Sequence, residues 1–167
     1  MSVYGGSMNR FKLNLLGLAL VFSSSFVFAE KMPVIAHPGE VQNDIQIVEA
    51  VSSRQSQFYV EGAELVVTNI LPDDVDGLPH QKWEASLSDG STVMIVYNSN
   101  MGERIPVEIG KTFSVGGQFI WTAQGGLVHW VHADPKHKRP DGYVIFDSVV
   151  YGGTEASTDQ PKEAVGF

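Results

Sequence analysis

The sequence predicts a mostly β domain, a small, partly open five-stranded barrel of the OB type with one short helix ahead of it. Three observations carry that reading. From Phe58 onward apolar residues recur with the period of a strand rather than a helix. Glycines stand inside these runs, at Gly62 and at Gly116-Gly117, where the strands of a small barrel have to bend. The runs are short and separated by compact turn signals, the pattern of a closed or nearly closed antiparallel sheet. A β-sandwich is the alternative that the same pattern allows.

The chain opens with the features of a secretory signal over residues 1–29. Arg10 and Lys12 make a short basic start after Met8, an apolar run follows from Leu13 to Phe28, and Val27-Phe28-Ala29 offers a cleavage site before Glu30. The run is short and interrupted by polar residues, which favours cleavage over a retained membrane span. A periplasmic or secreted location is therefore expected, with no membrane span after cleavage. Residues 30–42 read as an extended leader containing Pro33 and Pro38. Asn43 to Ser53 reads as the helix: Asn43 or Asp44 can cap it, and Ile45, Val48 and Val51 lie near helical spacing.

The domain proper spans 43–151. Phe58 to Leu71 is a long strand, bent at Gly62, and the run Pro72-Asp73-Asp74-Val75-Asp76-Gly77 is a loop. His80 to Leu87 and Ser91 to Asn98 are strands joined through Ser88-Asp89-Gly90, a tight hairpin turn in which Gly90 tolerates positive φ. Lys111 to Trp121 is the fourth strand. Leu127 to His132 is the fifth, and Gly142 to Val150 is a final hairpin or edge strand. The small, polar stretch 152–167 reads as a disordered tail.

Composition excludes several functions. The chain has no cysteine, which removes disulfides, thiol catalysis and Cys-based zinc sites. Its net charge is −8, and loss of the signal removes two cations and no acid. Such a domain repels phosphate backbones, so nucleic acid is not the expected partner. Neither a Gly-x-Ser-x-Gly elbow nor a His-Glu-x-x-His helix occurs. Gly110-Lys111-Thr112 resembles the end of a P-loop, but it opens a strand, and Ile105 stands where the first glycine belongs.

The densest polar-aromatic constellation is His129-Trp130-Val131-His132-Ala133-Asp134. On a continuous strand His129 and His132 point to opposite faces, so a metal shared by both requires a bulge or a strand end between them. The structural reading makes one histidine a hydrogen-bonded core residue and Trp130 a filler of the barrel end. The functional readings recruit neighbours. Asp73, Asp74 and Asp76 resemble a calcium loop in composition but lack its spacing, and a solvated turn is the plainer account. Arg104 can receive a carboxylate or phosphate, or pair with one of the acids. Lys136-His137-Lys138-Arg139 is a local basic run that can dock an anion or a partner, although a solvated loop is the plainer account. Trp83, Trp121 and Tyr143 read as core.

These residues together resemble a family of small exported bacterial proteins, classed as a domain of unknown function and marked by a His-Trp-Thr-His motif. The likeness runs from about Asn43 to Tyr143. It includes Arg54-Gln55-Ser56, Val60-Glu61-Gly62, Leu71-Pro72-Asp73-Asp74, His80-Gln81, Arg104-Ile105-Pro106, Gly125-Gly126 and Asp134-Pro135. Val131 replaces the motif threonine, and Tyr97 stands where the family pattern has histidine. The resemblance implies a bacterial envelope or secreted protein with an OB-like barrel, and implies no reaction.

Three functions are consistent with the sequence. The first is a non-enzymatic domain that binds a small molecule, peptide or glycan near His80, Arg104, His129, Trp130, His132 and Asp134, with no cofactor. The second is a metal-assisted hydrolase of the phosphodiesterase type. In it Asp73, Asp74, His80, His132 and Asp134 hold a divalent metal and Arg104 steadies developing charge. The third is an interaction or inhibitor module that meets another envelope protein through its acidic surface.

Overall fold

The computed structural model describes residue 1, residues 37–74 and residues 77–152. The signal segment, most of the leader, Val75, Asp76 and the tail beyond Gly152 lie outside the described residues. One helix and seven strands follow in order: α1 (Ile45–Ser53), β1 (Gln57–Leu71), β2 (His80–Ser86), β3 (Thr92–Asn98), β4 (Thr112–Thr122), β5 (Gly125–His129), β6 (Tyr143–Phe146) and β7 (Val149–Tyr151). A 3-10 turn, Ser99–Met101, follows β3.

The five-stranded OB-like barrel is present, and it is closed. The strand order is β1-β2-β3-β5-β4, and β4 returns to pair with β1. Closure depends on the length of β1. Its second half pairs with β2, as in Ile70 with Trp83, while its first half pairs with β4, as in Val60 with Gly117. β3 and β5 run parallel, joined at Met94 with Leu127 and Ile95 with Val128. The expected final hairpin forms as β6–β7, and β6 extends the sheet along β4 beside Phe113 to Gly116, beyond the stretch that β5 occupies.

Alternation fills the interior. Trp83, Ala85, Val93, Ile95, Tyr97, Val115, Phe119 and Val128 point inward and are buried. Burying such side chains contributes about 1.5–3 kcal/mol each before conformational entropy is set against it. Ile47 and Ala50 of α1 join this core. Ile105 does so from the loop before β4, where Gln81 holds it in place: the Gln81 amide donates to the Ile105 carbonyl (2.7 Å) and accepts from its N–H (3.1 Å).

Asp44 occupies the N-cap position of α1 but makes no side-chain cap bond. Its carboxylate instead accepts from the Ser88 N–H (2.7 Å) and hydroxyl (2.6 Å), tying the helix to the β2–β3 turn. Asn43 Oδ1 receives the Ile45 N–H at 3.2 Å in its place.

Candidate functional site

β5 ends at His129, three residues before the sequence pattern does. The cause is Trp130, whose φ of 56° lies in the left-handed region and turns the chain out of the sheet. Three glycines hold the backbone there. A Cβ on Gly142 would stand 1.9 Å from the Trp130 carbonyl oxygen, one on Gly152 2.4 Å from that of Val131, and one on Gly117 2.6 Å from that of His129. The Gly142 N–H donates to the His132 carbonyl (2.9 Å), and the Ala133 N–H donates to that of Gly152. Residues 129–133 are thus fixed from several sides. The opposite-face expectation for His129 and His132 no longer applies, because His132 is off the strand.

The outer sheet face beside this turn carries the polar side chains. His80 and Lys82 alternate with buried Gln81 and Trp83 on β2, and Gln118 lies opposite His129 in the β4–β5 register. The rings form a continuous chain. His80 and His129 have centroids 5.4 Å apart, His129 meets Trp130 edge to face at 5.9 Å, and Trp130 lies 5.3 Å from His132. The Arg139 guanidinium stacks over Trp130 at 4.7 Å, lies 5.9 Å from the Phe58 ring, and donates to Gln118 Oε1 at 2.6 Å.

The electrostatics follow from these contacts. Burial pushes the His129 imidazole down to about 4, helped by the charges of His80, His132 and Arg139, so the ring is neutral near pH 7. His132 is buried, and its Nδ1 lies 2.7 Å from the Ala133 carbonyl, the geometry of an Nδ1–H donor. That leaves Nε2 as the acceptor in the neutral ring. Asp74 bonds Lys82 and approaches His80 Nδ1 at 3.3 Å, and chiefly the Lys82 bond holds its carboxyl below the usual range.

The other sequence-predicted residues are elsewhere. Arg104 grips Asp73 in a two-pronged pair, at 2.5 Å and 3.3 Å, which links two exposed loops. Asp134 is buried and turned into its own loop. Its oxygens accept from the N–H groups of Lys136 (2.9 Å), Lys138 (2.8 Å) and Arg139 (3.0 Å), bonds that hold its carboxyl low, that of Lys136 foremost. The proposed metal set of Asp73, Asp74, His80, His132 and Asp134 is therefore not gathered. Among the described residues no three histidine or acidic side chains are placed to hold one ion. Tyr97 and Val131, the two departures from the family pattern, are fully buried core residues, and the Tyr97 hydroxyl donates to the Glu103 carbonyl at 3.1 Å.

Sequence reasoning missed Gln118 and Phe58, and held Arg139 only as part of a basic run whose plainer reading is a solvated loop. Arg139 reads as one cation in a solvated run, and nothing in its spacing from Trp130 announces that the loop folds back. It also missed a second buried cluster. Glu61 accepts from the Tyr143 hydroxyl (3.0 Å), the Tyr59 hydroxyl (3.3 Å) and the His37 N–H (2.7 Å). Burial, then the Glu61 charge, pushes both phenols up. This cluster anchors the described end of the leader to the sheet. A polar cavity of about 400 Å³ lies between α1 and β1, lined by Gln46, Glu49, Ser53, Gln55, Gln57 and Tyr59, and contains none of the predicted residues.

Fold and site together define a small closed OB-like barrel that carries a rigid aromatic and basic surface beside the end of its fifth strand. Residues 26–152 match the family described as "Protein of unknown function (DUF3465)", and the chain belongs to that family. Comparison with curated proteins and with solved structures finds no match. Among the described residues no helix is long and apolar enough to cross a membrane.

Proposed function

We propose that this protein is a non-enzymatic binding domain, and that its ligand, a small molecule, peptide or glycan, lies on the face formed by His80, Gln118, His129, Trp130 and Arg139. The observation that carries the reading is the left-handed, glycine-clamped backbone of Trp130. Holding a large side chain in that conformation costs on the order of 1–3 kcal/mol, and such strain persists where the surroundings over-determine it, commonly at binding surfaces. A core role alone would not require it, because Trp130 is only half-buried.

OB barrels bind along their strand faces and adjoining loops, which matches this placement as a fold-level analogy. The hydrolase reading is less well supported, because its acids already have partners in Arg104, in Lys82 and in the backbone of residues 136–139. The export expected from the leader belongs to the same proposal, and Glu30 as the first residue of protein recovered outside the inner membrane would support it.

The test is a binding screen of short peptides and neutral and acidic oligosaccharides by calorimetry, repeated on Trp130→Asn. Asparagine tolerates positive φ, so the variant removes the indole and keeps the turn. Ligands of the wild type should bind the variant at least about tenfold more weakly, a loss of roughly 1.4 kcal/mol, with an unchanged melting temperature. Undiminished binding to Trp130→Asn would remove this face from consideration.

A further inference from the structure

We propose that Arg139 is the receptor for a single oxyanion, a carboxylate or phosphate group carried by the ligand; the inference rests on the binding reading above and names the chemistry of its site.

The argument starts from charge balance. Among the described residues Lys82 pairs with Asp74, Arg104 with Asp73 and Lys111 with Asp147, while Arg54, Lys136, Lys138 and Arg139 have no carboxylate at ion-pair distance, and of these four Arg54, Lys136 and Lys138 are exposed. Arg139 is half-buried, yet no carboxylate lies within ion-pair distance of it among the described residues. Asp134 shares its field, but both oxygens of that carboxylate are taken by backbone N–H groups. Asp134 thus supplies charge at a distance but no contact, and a partly desolvated guanidinium is unfavourable unless acceptors meet its donors.

Its position is nonetheless fixed. Trp130 holds one face by cation–π stacking and Gln118 takes one Nη1 hydrogen bond. A guanidinium carries five N–H donors in a planar fork, so this arrangement leaves donors pre-oriented for a two-oxygen partner. The surroundings suit an anion as well. His129 lies opposite Gln118 and is kept uncharged partly by Arg139 itself. Lys136, His137 and Lys138 are exposed on the same loop. Four of the five histidines of the chain therefore lie on this face or its loop, in a molecule whose net charge is −8. A bound oxyanion offsets the Arg139 charge and favours protonation of His129, so its binding and that titration are linked.

The experiment follows the Trp130 indole N–H and the histidine ring signals by NMR in the full-length mature protein. The probes are inorganic phosphate, glucuronate and the neutral methyl glucoside. Saturable shifts with phosphate, glucuronate or both, absent with methyl glucoside, are expected, and the effective probe identifies the source of the oxyanion. The apparent His129 pKa should rise when the anion is bound. Arg139→Gln should weaken the anion by about tenfold or more, and Arg139→Lys, which keeps the charge but not the fork, by less. Anion shifts that persist unchanged in Arg139→Gln, or no shifts while a neutral ligand still binds the wild-type face, would overturn the oxyanion assignment and leave the binding reading standing. Loss of every ligand on the Trp130→Asn face with Arg139 intact would trace instead to the binding surface as a whole.

Discussion

Trp130 and His129 show how single residues set the behaviour of this surface. The chain leaves the strand at Trp130, and that turn aims the His129, Trp130 and His132 rings at one another instead of at opposite faces. His129 then acquires a pH signature. Its folded value near 4 lies below the ordinary unfolded value of about 6.5. Between those limits the unfolded chain binds the additional proton, so stability rises with pH across the window. The contribution is complete above about pH 6.5 and is lost as pH falls toward 4, where both states become protonated. Urea unfolding at a series of pH values should show this slope in the wild type and a flatter one in His129→Gln. Equal slopes would show that the ring is neutral for no energetic reason. Asp74 and Asp134, with lowered carboxyls, act at the acid end of that range and leave its upper half to histidine.

At the scale of elements, the helix depends on a contact that its own sequence does not reveal. Asp44 reads as a cap, but it is buried and spends both oxygens on Ser88, across the molecule. Asp44→Ala leaves the Ser88 N–H without its acceptor and should cost about 1.5–3 kcal/mol. Asp44→Asn, which keeps one acceptor oxygen, should cost less. A double-mutant cycle with Ser88→Ala checks the pairing, and additive losses would mean that Asp44 acts only locally on α1. The same contrast explains what was legible. The strands from Gln57 to Thr122 follow from side-chain period and turn chemistry, both local properties, and the sequence places each within a residue or two of its observed limits. The end of β5 was not legible, because the Trp130 turn is imposed by Gly117, Gly142 and Gly152, which approach from other strands and loops. The partner of Asp44 was hidden for the same reason. Candidate site residues fared according to the same rule. His80 and His129 meet from β2 and β5, and Trp130 and His132 join them only through the turn that ends β5, whereas Arg104 and Asp134 are taken by partners that only the folded chain supplies.

For the whole molecule, closure of the barrel by the two halves of β1 leaves the interior packed with Trp83, Tyr97 and Phe119. Among the described residues these side chains fill the barrel, and the proposed binding face lies on its outside. The aromatic and basic face beside β5 and the polar cavity between α1 and β1 are two outer regions that a ligand can be tested against. The three tryptophans separate them: Trp83 is in the core, Trp121 stacks with Arg54 near α1, and Trp130 stands in the proposed face. The most direct measurement is a backbone and indole N–H chemical-shift map of the protein with the tightest ligand from the binding screen. The account predicts that the largest changes fall on Trp130, His129, Gln118, His80 and Arg139, with Trp121 and Trp83 nearly unmoved. Changes centred on Gln46, Glu49, Gln57 and Tyr59, with Trp130 silent, would contradict it and move the binding site to the cavity beside the helix.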